Sequence, residues 1–355
     1  MTPNGPSEPA FDPDLRRYSR QVLFAPIGQA GQQKLRASRV TLIGCGALGS
    51  VLADTMVRAG VGYLRIADRD FVELDNLQRQ VLFDEDDAAA GLPKALAARA
   101  KLVHVNSQVH IDAVVTDVNP GNIERLIEKS DLILDGTDNF ETRYLINDAA
   151  VKHGIPWIYG AAVAATGLCL PILPGETPCL RCVFEEAPPP EASPTCDTVG
   201  VLGPLIHMVA GMQANEAIKI LAGRREAVNR CLVSIDAWSG RITNIHVAAS
   251  RERGNCVCCK QGRYEYIEGG RTTPATHLCG RNAVQIYRQG DRPVDLAAIA
   301  DRLRPVATEV RVNEYLLRAK IDGYELTLFP DGRALIKGTD SPDTAKSVYA
   351  RYIGV

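Results

Sequence analysis

The chain has 355 residues, with 40 Lys+Arg against 42 Asp+Glu, so its formal net charge is −2 and it is long enough to bury a core without covalent staples. A near-neutral balance without a basic stripe excludes a general polyanion binder, so no nucleic-acid partner is expected, and the longest apolar runs, such as 155–163, are far too short to span a membrane. The opening MTPNGPSEPAFDPD lacks the basic and apolar regions of a secretory signal, which predicts a cytoplasmic protein and makes its ten cysteines a question of metal or thiol chemistry rather than disulfides.

Residues 1–11 are rich in Pro, Gly and polar residues and read as a disordered lead. RVTLI (39–43) is a short β-branched run that enters Gly44-Cys45-Gly46-Ala47-Leu48-Gly49 and then a helical pattern stopped by Gly60. A second strand, 63–67, closes at Asp68, giving strand, glycine turn, helix, strand and acid. Strands are predicted at 109–115, 131–136, 156–163 and 166–173, with helices at 122–130 and 141–154. Glu185 to Thr195 reads as a Pro-rich acidic loop, and Val201 to Ala222 as a long apolar helix closed by Gly223. Strands at 231–238 and 241–248 precede the Cys-rich NCVCCKQG. The alternation predicts an α/β fold, with a Rossmann-like, mostly parallel sheet and flanking helices over 12–268. The texture then changes, and a small α+β C-terminal domain is expected over 271–355, joined through Glu268-Gly269-Gly270.

Glycines at a strand-to-helix turn let a phosphate approach the backbone, and the helix N-terminus offers it free N–H groups. Gly44, Gly46 and Gly49 with Asp68 therefore point to a nucleotide, without deciding between NAD, FAD, SAM and ATP. The following stretch, DRDFVELDNLQRQ (68–80), narrows the choice. Asn76, Arg79 and Gln80 directly after the second strand, Lys94 in GLPK, Arg20 in RYSRQ and Asp138 in Gly136-Thr137-Asp138-Asn139 combine cations for a triphosphate with a hard oxygen ligand for Mg²⁺.

Cys179-x-x-Cys182 and Cys256-x-x-Cys259 are two pairs with zinc spacing, and four thiolates make a closed, structural Zn²⁺ site. Cys258 inside the second pair leaves the register open, although Cys259 keeps the two-residue gap. Cys45, Cys169 and Cys231 lie in or beside apolar strands and read as small buried hydrophobes. Cys196 follows the Pro-rich loop and precedes a helix, a setting that favours a reactive thiolate. Cys279 reads as structural. The six histidines, His207 among them, read as packing or surface residues.

Together RYSRQ, GCGALGS, DRDFVELDNLQRQ, GLPK, GTDN, the paired Cys-x-x-Cys and TCDTVGVLGPL resemble the MoeB/ThiF/HesA family, bacterial relatives of ubiquitin-activating enzymes, from about Arg17 to Gly262. The resemblance implies an adenylyltransferase that binds ATP·Mg and adenylates the C-terminal glycine of a small ubiquitin-like sulfur carrier, resembling MoaD or ThiS. A sulfur donor such as a cysteine desulfurase or sulfurtransferase would then convert the acyl-adenylate to a thiocarboxylate, in molybdopterin, thiamine or related biosynthesis. It implies that Gly44, Gly46 and Gly49 form the nucleotide turn, where Ala47 stands at a position often Gly. Asp68 would hold the ribose, Asn76, Arg79 and Lys94 the phosphates, and Asp138 the Mg²⁺, with Asp70, Gln80 and Asn139 in the same site. Arg20 would reach the γ-phosphate of the neighbouring subunit of a homodimer. Cys179, Cys182, Cys256 and Cys259 match the zinc ligands, and Cys196 the reactive cysteine. The C-terminal 271–355 does not look like a rhodanese domain. The competing expectations are an NAD(P)-dependent oxidoreductase with a structural zinc, and a non-catalytic scaffold.

Overall fold

The computed structural model describes residues 12–186, 196–252, 254–269, 277–278, 283–286 and 294–354. The lead at 1–11, most of the Pro-rich loop and Cys279 lie outside these residues. The described residues group into two compact units, one holding 12–186 with 201–269, the other holding 196–200 with the residues from 277 onward.

The first unit begins with a 3-10 turn, Pro13–Tyr18, and helices α1 (Ser19–Val22) and α2 (Gly28–Ala37). Then come β1 (Arg39–Ile43), α3 (Ala47–Ala59), β2 (Tyr63–Asp68), α4 (Glu85–Ala90), α5 (Lys94–Val105) and β3 (His110–Val115). They are followed by α6 (Ile123–Ile127), β4 (Leu132–Asp135), α7 (Phe140–His153), β5 (Trp157–Val163), β6 (Thr166–Ile172) and α8 (Leu180–Val183). The chain returns to this unit, after the short α9 (Cys196–Val199), with α10 (Gly203–Leu221), β7 (Leu232–Asp236), β8 (Arg241–Ile245) and α11 (Ala248–Glu252).

These strands form one eight-stranded sheet in the order β3-β2-β1-β4-β5-β6-β7-β8. Pairing is parallel from β3 to β5 and antiparallel from β5 to β8. The parallel strands are short apolar runs because both of their faces are covered. Leu42, Ile66, Leu134 and Ile158 point into one core with α3, α5 and α10. Their neighbours Ile43, Ala67, Ile133 and Trp157 point into a second core with α6, α7 and the cysteine loops. Alternation of successive side chains thus builds two cores from one set of strands.

Helix α10 starts at Gly203, not Val201, because Pro204 supplies the fixed φ of a first turn and Val201 instead bridges to Ala164. Strand β8 closes the sheet with every residue exposed.

The second unit has its own core. An antiparallel sheet runs β11-β12-β13-β14-β10-β9. Its elements are β9 (His277–Leu278), β10 (Ala283–Ile286), α12 (Leu296–Leu303), β11 (Glu309–Val312), β12 (Leu317–Ile321), β13 (Tyr324–Leu328), β14 (Ala334–Lys337) and α13 (Pro342–Tyr352). Leu317, Leu326 and Ile336 face the two helices in a single apolar layer.

Candidate nucleotide loop and cysteine cluster

Three glycines from two loops meet at the end of β1. Gly44 has φ +86°, and a Cβ there would lie 2.8 Å from the carbonyl of Gly136. A Cβ on Gly49 would lie 2.0 Å from the Gly44 oxygen, and one on Gly136 2.4 Å from it. The turn after β1, the start of α3 and the loop after β4 therefore touch backbone to backbone, which only glycine allows. Gly46, the residue capping α3, faces open space, with only Gln80 Nε2 at 3.9 Å. Gln80 is buried and its Oε1 has no hydrogen-bond partner among the described residues. The first turn of α3 thus presents unencumbered backbone N–H groups beside a buried, unsatisfied amide. Ala47 is the first residue of that helix.

Asp68 is buried at the end of β2. Its Oδ2 accepts the Cys45 N–H at 2.5 Å and its Oδ1 the Asp70 N–H at 2.6 Å. It clamps the glycine turn to its own strand, and each oxygen keeps a lone pair for a further donor. Burial pushes its carboxyl up, helped by Asp70, while Lys94 and the two N–H donors pull the other way. Lys94 opens α5, is buried, and lies 3.4 Å from the Asp70 carboxylate. Asn76 is buried too: its Oδ1 accepts the Glu73 N–H and its Nδ2 donates to Asp75. Arg79 is half-buried and donates to the Asp75 carbonyl at 2.8 Å.

Asp138 and Asn139 are exposed in the loop after β4, where Asn139 caps α7 by accepting the Thr142 N–H at 2.8 Å. Arg20 is exposed on α1, with no hydrogen bond or ion pair among the described residues.

What shapes the loop after β4 is a pair that sequence reasoning missed. Asp135 Oδ1 accepts from the Thr137 N–H and hydroxyl, and its Oδ2 accepts from Arg143 at 3.2 Å. Arg143 also donates to the carbonyls of Thr137 and Gly160, and Gln213 of α10 donates to the Asp135 carbonyl. Burial raises the Asp135 carboxyl, and Arg143 with the Thr137 donors pulls it back. An arginine in a helical pattern reads as solvated; the only available signal was its spacing from an acid that ends an apolar strand.

The sulfurs of Cys179, Cys182, Cys256 and Cys259 lie within 4.8 Å of one another. Three separations are 3.8, 3.6 and 3.3 Å, against about 3.8 Å for the edge of a tetrahedron of Zn–S bonds. The donor set and spacing fit zinc. Cys258 stands outside the group: its buried sulfur accepts from Asn147 Nδ2 at 3.3 Å. Asn147 also accepts the Leu180 N–H, so α7 holds both cysteine loops.

Of the other thiols, Cys45 and Cys169 are buried, and burial pushes both up. Cys231 is not a buried hydrophobe. It is half-buried beside the edge strand, with its sulfur 3.4 Å from exposed His246. His207 is exposed on α10. Cys196 begins α9, and its side chain lies outside the described residues.

Residues 18–258 match the ThiF family. The chain is 46% identical over 338 residues to the sulfur carrier protein ThiS adenylyltransferase of Bacillus subtilis (strain 168), covering 95% of this chain and 99% of that protein. It is 38% identical to the SAMP-activating enzyme E1 of Haloferax volcanii over 254 residues, 72% of this chain and 92% of that protein. It is 37% identical to the sulfur carrier protein adenylyltransferase of Thermus thermophilus over 251 residues, 69% of this chain and 91% of that protein. E. coli MccB shares the fold at a TM-score of 0.63 and 22% identity, covering 72% of this chain and 75% of that one. The chain belongs to the ThiF family.

Proposed function

We propose that this protein is an ATP-dependent adenylyltransferase that activates the C-terminal glycine of a small ubiquitin-like sulfur carrier of the ThiS type. The observation that carries the reading is the 46% identity running over 95% of this chain and 99% of the ThiS adenylyltransferase. That match takes in the C-terminal region, whereas the Haloferax and Thermus relatives match 254 and 251 residues. This favours a ThiS-type carrier over a MoaD-type one. The relatives compared are named as adenylyltransferases or E1 enzymes, so the oxidoreductase reading is set aside.

The chemistry asks for positioning and charge neutralisation. A carrier carboxylate is already ionised at neutral pH and attacks the α-phosphate without a general base. The open first turn of α3 at Gly46 receives the phosphates, and the unsatisfied Gln80 oxygen beside it is a group awaiting a donor. Asp68 holds the ribose hydroxyls with its spare lone pairs. Lys94, Arg79 and Asn76 hold phosphate oxygens, and Asp70, Ala47 and Asn139 line the same site. Asp138 offers a free carboxylate suited to Mg²⁺, which when bound neutralises charge on the departing pyrophosphate. Zinc held by Cys179, Cys182, Cys256 and Cys259 is structural, since four thiolates leave no open position. Cys196 serves as the reactive thiol, and a cysteine desulfurase or sulfurtransferase supplies the sulfur. A homodimer, with Arg20 reaching the neighbouring active site, a cytoplasmic location, an adenylation domain over 12–268 and an α+β domain over 271–355 complete the reading.

The test is ATP–pyrophosphate exchange in the presence of a ThiS-type carrier. Wild-type protein should exchange, and Asp138→Ala should lose about 10²-fold or more. Unchanged exchange in that variant removes the Mg²⁺ role from Asp138. Absence of exchange with ThiS-type carriers overturns the function.

A further inference from the structure

The strands that carry the glycine loop at one end build a second concave site at the other. Arg39, Tyr63 and His110 open β1, β2 and β3 and stand in one register, Arg39 opposite Tyr63 and Tyr63 opposite His110. In-register residues share a face of the sheet, so the three side chains form a row. The Arg39 guanidinium lies 3.8 Å from the centre of the Tyr63 ring. The His110 ring stacks on Tyr63 at 5.1 Å and 14°. Tyr63 is held in place: its hydroxyl donates to Asp112 at 2.5 Å and accepts from Arg65 at 3.0 Å.

A cleft of about 420 Å³ opens beside this row, lined by Arg36, Ser38, Arg39, Gly62, Tyr63 and His110, with Ala37. Backbone hydrogen bonds tie the lining elements together. Gly62 and Tyr63 donate their N–H groups to the carbonyls of Leu35 and Ser38, both at 3.1 Å. A Cβ on Gly62 would lie 2.0 Å from the Arg36 carbonyl oxygen, so glycine brings the end of α2 against the start of β2. Among the described residues, no carboxylate lines the cleft. Neither the Arg36 nor the Arg39 guanidinium has a hydrogen bond or ion pair among the described residues, and Arg39 Nε is enclosed without an acceptor. Of the nearby acids, Asp112 is bonded to Tyr63 and Arg65 and its charge also reaches His110, and Asp131 accepts the main-chain N–H of Arg39 at 2.8 Å.

Arg36, Arg39 and His110 line one hollow, and no acceptor among the described residues reaches the enclosed Arg39 Nε. That is the composition of an oxyanion-binding site. We propose that this cleft binds the phosphate group of a phosphate monoester, separately from the ATP loop. Arg36 and Arg39 would take the phosphate oxygens, with His110 at the rim. The two sites are about 13 Å apart along β1, four residues at 3.3 Å each.

The test is calorimetric titration of the full-length protein with phenyl phosphate, an ester with no adenosine to direct it to the ATP loop. One saturable site is expected, weakened tenfold or more by Arg36→Gln and by Arg39→Gln, and unchanged in Lys94→Ala. Absence of saturable binding overturns the proposal. So does wild-type affinity in Arg36→Gln, or loss of binding in Lys94→Ala, which would place the ester in the ATP loop. Arg36 is half-exposed on the last turn of α2, so its variant should keep the wild-type melting temperature and exchange rate. If Arg39→Gln fails to fold, Arg36→Gln decides alone.

Discussion

Asp135 and Arg143 meet with side-chain exposures of 0% and 5%, at the point where β4 gives way to the loop carrying Asp138. Truncating one partner of a buried, hydrogen-bonded pair leaves the other uncompensated, which costs about 3–5 kcal/mol. Arg143→Met is therefore expected to lower the unfolding free energy from urea titration by that amount and to release the Thr137 carbonyl. A loss below about 1 kcal/mol would mean that the pair positions the loop without stabilising the unit. This pair marks where single-residue reading stops. Asp68 and the glycines were legible because a turn between strand and helix has few chemical solutions. Arg143 was not, since nothing in FETRYLIN distinguishes a buried arginine from a solvated one. Cys231 failed in the opposite direction. It sits beside an apolar strand, but the outermost strand β8 leaves that end of the sheet uncovered, and no local pattern says which strand is last.

Elements with strong punctuation were legible, and those fixed by tertiary contacts were not. Strand β1, the Gly60 stop of α3 and the helix α7 fall within a residue or so of expectation. The helix α5 went unread because its Ala- and Lys-rich run has little amphipathic contrast. EVRVNEYLLRAKI (309–321) carries no Gly or Pro, yet it is two strands, β11 and β12. Asn313 Oδ1 accepts the N–H groups of Tyr315 and Leu316, and that side-chain turn reverses the chain. The cysteine loops were legible by spacing, and the position of α7 between them settles which sulfurs converge. Metal analysis of the purified protein should find one zinc per chain. Cys258→Ser is expected to keep it and Cys259→Ser to lose it; the reverse result would exchange their places in the ligand set.

At the scale of the molecule, the two compact units, each with its own core residues, predict two unfolding events. Both tryptophans, Trp157 and Trp238, belong to the first unit, and the second unit has tyrosines only among its aromatic reporters apart from Phe329. Tryptophan fluorescence and far-ultraviolet circular dichroism should therefore give different urea midpoints. Coincident curves would show that the units unfold as one. The cysteine cluster has a consequence on this scale as well. Its sulfurs join residues 77 positions apart in sequence, and the segment 187–195 falls inside the loop they close. The entropy of closing a loop grows only logarithmically, so doubling its length costs about 0.6 kcal/mol. The Pro-rich segment can therefore lengthen or shorten by several residues with almost no penalty to the fastening, which leaves evolution free to retune the stretch before Cys196 while the scaffold stays unchanged.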